Sequence, residues 1–352
     1  MKKNGIIILG AFFLCVAFAA LSCREAEARI TGDCEACHGL YPGMLESAPG
    51  GPLKFVLQNA LCVDCHTNST RDTLKHIGQV DVPVVFNHVE PVKPLAGGNF
   101  YYVSRDFGDR YGHNVDGIAP VDRKHNGAPP GYDRQSDPSV IGYNPGKTLA
   151  CSGSNGCHGD RNIEDPFKAI MKNHHAEDRP IDGSTTARSY RFLKITGKKK
   201  GVTGIEDDEW ERNRSPKKHN EYTSGINRLC ANCHGDLHGS NNTGKESPWL
   251  RHPTGVVLPE KGEYLKYNPD DPPPPGKTGE RIYSTEAPVA RGGLTNNLGE
   301  IVRPGSDSVF CLSCHMAHAS PYKFSLRWDY DAVIAGEAGK GACFICHTEK
   351  GE

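Results

Sequence analysis

The sequence predicts a chain made mostly of coil and turns, with short helices around six repeated motifs and a few short strands. Its own side chains do not suffice to fill its core. Three observations predict this. Cys-x-x-Cys-His occurs five times, at Cys34 to His38, Cys62 to His66, Cys230 to His234, Cys311 to His315 and Cys343 to His347. A stretched sixth copy reads Cys151-Ser152-Gly153-Ser154-Asn155-Gly156-Cys157-His158. The 352 residues include 40 Gly and 25 Pro, a turn-rich composition. Mean hydropathy is −0.54 and aromatic residues make up 8%, little for the hydrocarbon core a soluble chain of this length normally buries.

The motif carries its own chemistry. Cys-x-x-Cys-His is the attachment sequence of a c-type haem: both thiols add to the porphyrin vinyl groups, and the histidine binds the iron from one side. The thioether residues would be Cys34 and Cys37, Cys62 and Cys65, Cys151 and Cys157, Cys230 and Cys233, Cys311 and Cys314, and Cys343 and Cys346. The iron ligands beside them would be His38, His66, His158, His234, His315 and His347. A disulfide framework does not place a histidine after every second cysteine, and four-cysteine zinc sites leave the histidines unexplained. In the third motif the insert Ser-Gly-Ser-Asn-Gly is small enough to loop out, and its glycines can take positive φ. The fold class is therefore a multihaem cytochrome c. Its core is haem-dominated, with porphyrin faces supplying apolar surface, and six haem c groups are expected.

The second axial ligand decides what each iron can do. Of 16 histidines, ten lie outside the motifs: His76, His88, His113, His125, His174, His175, His219, His238, His252 and His318. Methionine is too scarce to serve six irons, since the chain has four in all. His76, His113, His219, His252 and His318 lead the candidates, while His88 and His125 trail. The adjacent His174 and His175 could serve two haems. His238 and His318 follow their own motifs too closely to bind the same iron, so they would reach a neighbour. Iron with two imidazoles has no vacant position, which points to electron transfer rather than catalysis. No catalytic residue is assigned.

Lys2 and Lys3, the apolar run Ile6 to Leu21 and Ala26-Glu27-Ala28 read as an export signal cleaved after residue 28. A membrane anchor or acylation at Cys23 are the alternatives. Residues 29–352 form one elongated hexahaem domain with no transmembrane span, at the cell surface, outside it or in the periplasm. With 41 basic and 42 acidic residues, no nucleic-acid surface is expected. Candidate strands are Val82 to Phe86, Asn99 to Val103, Ser189 to Ile195 and Val256 to Leu258. Lys198-Lys199-Lys200 reads as a solvated loop.

Cys230-Ala-Asn-Cys-His-Gly-Asp-Leu-His238, Trp249-Leu-Arg-His-Pro253 and Cys311-Leu-Ser-Cys-His-Met-Ala-His-Ala-Ser320 resemble the OmcS-type extracellular hexahaem cytochromes of metal-reducing bacteria. Gly97-Gly98-Asn99-Phe100, Gly112-His113-Asn114 and Lys75-His76-Ile77 are similar to that family too. The resemblance implies stacked bis-histidine haems, with His76, His113, His238, His252 and His318 as second ligands, and assembly into conductive filaments. Two departures stand out. Tyr41 occupies the place of a histidine that reaches into the next subunit, and Arg161 that of a histidine near the third motif, whose cysteines the family does not spread.

The expected function is electron transfer along six covalently bound haems, as a subunit of a homo-polymer or as a discrete carrier. Redox proteins or extracellular acceptors would be its partners. A multihaem reductase would need an iron with an open position.

Overall fold

The computed structural model describes residues 62–104, 108–122, 128–132, 147–170, 174, 181–195, 200–237, 254–271, 273, 275–276, 280–292, 299–336 and 341–350. It also describes the backbone of two short strands, His38–Gly39 and Val56–Leu57. The first motif's cysteines and the proposed export signal lie outside these residues, as do His125, His175, His238, His252 and the lysine run at 198–199.

Coil and turns dominate. Strands pair only in twos, and among the described residues no sheet gains a third. The longest hairpin joins Leu74–Ile77 to Val80–Pro83, with His76 opposite Asp81. No helix of the described residues is long and apolar enough to cross a membrane.

Four regular motifs share one local structure. Cys62–Cys65 and Cys311–Cys314 are single helical turns, Cys230 ends the helix Ile226–Ala231, and Cys343 lies in the 3-10 turn Ala342–Ile345. In each, the histidine amide donates to the first cysteine's carbonyl: His66 to Cys62 at 3.0 Å, His234 to Cys230 at 2.9 Å, His315 to Cys311 at 3.0 Å and His347 to Cys343 at 2.9 Å. That single turn brings two cysteines three residues apart to one face.

The third motif departs from the expected helix. Ala150–Ser152 and Gly156–His158 form a parallel strand pair, Ala150 opposite Gly156 and Ser152 opposite His158. The chain turns between them at Gly153, whose φ is +86°. Five intervening residues exceed one helical turn, so the loop closes on itself instead.

Two further expectations are corrected. Asn99 to Val103 is not a strand: Phe100–Tyr102 is a 3-10 turn whose cap, Asn99, accepts from the Tyr101 amide through its side chain. Ser189 to Ile195 also turns, at Tyr190–Phe192, with Arg191 at φ +49°. Val82 to Phe86 is split between Val80–Pro83 and Phe86–Asn87, and Val256–Val257 is a strand.

Burial is divided into three apolar clusters. Phe86, Phe100, Tyr102, Val115 and Ala319 form one, with Cys151 against it. Tyr190, Val202, Tyr222, Ile226 and Phe310 form the second, against Cys230 and Cys311. Tyr267, Tyr283, Val289, Val302 and Ile345 form the third, against Cys346. Each cluster thus ends at motif cysteines.

Candidate haem sites

The motif cysteines meet across motifs in sequence order. The Cys62 thiol bonds Cys151, which pulls Cys62 down to about 7 and pushes Cys151 up. Cys157 lies beside Cys230, and Cys233 beside Cys157. Cys230 bonds Cys311 and is pushed up by that bond and by burial. Cys314 and Cys343 lie near enough for their charges to interact, and Cys346 is near both. The second motif therefore touches the third and the fourth the fifth, while the third and fourth, and the fifth and sixth, are neighbours.

The histidines share a second pattern. The Nδ1 of His66 is 2.8 Å from the Pro83 carbonyl, that of His158 2.8 Å from Arg191, that of His234 2.7 Å from Pro130, and that of His315 2.8 Å from Phe324. His113 does the same to Ala317 at 2.7 Å, and His219 to Ser215 at 3.2 Å. His347 uses the Glu263 carboxylate at 3.3 Å. A proton held on Nδ1 by such an acceptor leaves the Nε2 lone pair for a metal and fixes the ring's orientation. Arg191 and Phe324 present their carbonyls from left-handed backbone, φ +49° and +62°, a conformation costly outside glycine.

Three imidazole pairs then face each other. Ring centres are 6.2 Å apart for His66 and His174, 6.1 Å for His113 and His234, and 6.3 Å for His158 and His318. An imidazole nitrogen sits about 2.0 Å from a first-row metal and about 1.1 Å from its ring centre, so two imidazoles across one ion stand about 6.2 Å apart. The three spacings fit that arrangement. Each pair joins one motif histidine to one of the ten others.

Burial keeps these rings neutral. His66, His113, His158 and His315 are all pushed below the ordinary imidazole range by desolvation. His318 falls to about 3, through burial first and then the neighbouring His158. It stacks on Phe100 at 4.7 Å, and its buried Nδ1 has no partner. Two loops clasp it: its amide donates to Gly97 at 2.7 Å, and its carbonyl accepts from His113 at 2.9 Å. His219 is wholly buried, stacks on Tyr283 at 3.8 Å, and falls to about 4 through burial and the Arg291 charge. Its Nε2 is buried with no partner, as a ligand nitrogen deprived of its metal would be.

His76 stands apart, exposed on its hairpin with Nδ1 against the Asp81 carboxylate. His88 sits edge-on to Phe86 at 5.0 Å. Sequence reasoning missed the ion cluster beside His219. Arg291 is 6% exposed, holds Asp307 at 2.9 Å and Glu221 at 3.2 Å, and lies over the Tyr283 ring at 4.8 Å. No motif announces such a cluster. It missed Arg161 as a buried charge as well.

Motif chemistry, neutral imidazoles with Nδ1 engaged and a coil-dominated fold together define a c-type cytochrome that binds several haem groups covalently. Residues 303–352 match the model of the doubled CXXCH motif family. The chain is 26% identical to the C-type cytochrome OmcS of Geobacter sulfurreducens, over 95% of its own length and 88% of the relative's. Two solved structures share its fold. The outer membrane cytochrome S filament from Geobacter sulfurreducens has a TM-score of 0.52 at 19% identity, over 88% of this chain and 86% of that one. The OmcS nanowires of that organism give 0.51 at 20% identity, over 92% and 91%. The OmcS-type resemblance read from the motifs thus extends over most of the chain.

Proposed function

We propose that the chain is an exported electron-transfer protein carrying six covalently bound haem c groups. The carrying observation is the set of three imidazole pairs at the spacing of two ligands on one ion. In this reading His66 and His174 share one iron, His158 and His318 a second, and His234 and His113 a third. His219 serves an iron near Tyr283, on the side of the fifth and sixth motifs. His38, His315 and His347 bind theirs from the motif side, with two of His76, His175, His238 and His252 as the remaining opposite ligands. Haem, when bound, supplies a one-electron couple at each iron. The chain's own residues hold the rings in order, keep water from the iron faces and set the proton of the described motif imidazoles on Nδ1.

The nearness of successive motifs from the second to the sixth supports electron passage in sequence order, and two filled axial positions leave no room for a substrate. Mass spectrometry with a haem assay tests the count: six haems are expected. Electron paramagnetic resonance should find them low-spin, and His174→Ala should turn one high-spin. A wild-type spectrum with a high-spin haem that binds nitrite would favour a reductase instead.

Assembly into a homo-polymer is supported by the two filament structures that share the fold. Tyr41, in place of a subunit-joining histidine, favours a discrete carrier acting at the cell surface or in the periplasm. Negative-stain microscopy of the purified protein separates the two: filaments at high concentration support the polymer, and discrete particles alone rule it out.

A further inference from the structure

The two departures of the third motif from the resembled family come together in space. Arg161 is 3% exposed, and its Nη2 reaches the carbonyl of Ser154, inside the spread between Cys151 and Cys157, at 3.5 Å. The Ser154 amide in turn donates to Ile163 at 2.9 Å, so the spread folds back over the segment that carries Arg161. The guanidinium also bonds the Cys233 sulfur, and its charge reaches Cys157. It is therefore close to the attachment points of the third and fourth motifs.

No carboxylate among the described residues forms an ion pair with Arg161. The neighbouring Asp160 carboxylate accepts instead from the Asn162 amide at 2.9 Å and the Asn162 side chain at 2.8 Å. Arg161 Nε is buried with no partner. The contrast is Arg291, equally buried but held by two carboxylates. An unpaired buried cation is costly unless the site gains from it.

Resting on the six-haem reading above, we infer that Arg161 is a potential-setting residue. Its buried charge raises the reduction potentials of the haems held by Cys151 and Cys157 and by Cys230 and Cys233. Each reduction brings one electron to one iron from the donor and lowers the charge of that site by one, with no proton needed. A fixed cation nearby in a low-dielectric interior favours the lower-charge state. The spread loop is what supplies the carbonyl that holds the guanidinium there.

The test is a spectroelectrochemical titration of the holoprotein, with haem number measured by mass. In Arg161→Gln with all haems attached, two of the six components should move to lower potential, whereas Arg161→Lys keeps them close to wild type. Arg188→Gln, which removes a surface partner of Asp182, should move none. A fully loaded Arg161→Gln protein whose titration overlays the wild type overturns the inference. Should that variant fail to fold, Arg161→His serves: two components should fall as pH rises between about 5 and 8, as the imidazole loses its charge. A variant no more pH-dependent than wild type overturns it equally. A wild-type mass with fewer than six haems would instead overturn the reading on which it rests.

Discussion

Replacing Gly98 with alanine should be among the costliest single-methyl additions at the described glycines. Gly98 has φ +86°, and a Cβ there would press on the Ala319 carbonyl oxygen. That oxygen accepts from the Asn99 amide at 2.9 Å, and the same clasp carries His318 to Gly97 at 2.7 Å and His113 to His318 at 2.9 Å. A non-glycine residue in left-handed backbone costs about 1–2 kcal/mol. Parting the clasp leaves buried backbone groups unsatisfied, at about 1–3 kcal/mol each. With two bonds lost, the expected destabilisation is about 3–8 kcal/mol. Both His113 and His318 hang from this clasp, so two irons should lose an axial imidazole together. Chemical unfolding followed in the Soret band gives the first quantity, and the high-spin fraction at low temperature the second. A loss under about 1 kcal/mol with an unchanged low-spin spectrum would refute the reasoning.

Three other outcomes are expected. Arg291→Met strands Glu221 and Asp307 in the interior and should cost about 3–5 kcal/mol in the same unfolding assay, whereas adding Asp307→Asn and Glu221→Gln recovers part of it. His219 is wholly buried with its Nε2 unpartnered, so His219→Gln should turn one haem high-spin in electron paramagnetic resonance, and an unchanged low-spin spectrum would contradict its assignment as a ligand. Finally, Cys151→Ala combined with Cys157→Ala should lower the haem count by one in intact mass; an unchanged mass would show that the spread motif carries no haem.

Much of this site is legible in the sequence because its chemistry demands fixed spacing. Cys-x-x-Cys-His is one helical turn, and the regular described motifs fold as such. The third motif is legible as an exception, but not as a parallel strand pair, which depends on Gly153 taking a left-handed turn. The approach of His158 and His318 is hidden because they are distant in sequence, and His318 is set in place by its backbone bonds to Gly97 and His113. Asn99 to Val103 reads as a strand from its aromatic residues, yet the Asn99 side chain captures the Tyr101 amide and bends the chain first. The buried charges of Arg161 and Arg291 were invisible for a simpler reason: a lone arginine in a sequence usually means a wet one.

The acceptors on Nδ1 have a consequence for how such a chain can change over time. Pro83, Arg191, Pro130, Phe324, Ala317 and Ser215 serve the imidazoles only through their carbonyl oxygens. A carbonyl is the one group every amino acid brings alike, so substitution at these positions leaves the ring's anchor intact as long as the backbone keeps its path. Histidine orientation is thereby uncoupled from side-chain identity at the anchoring residue. A chain can therefore change at many positions and still aim its imidazoles the same way.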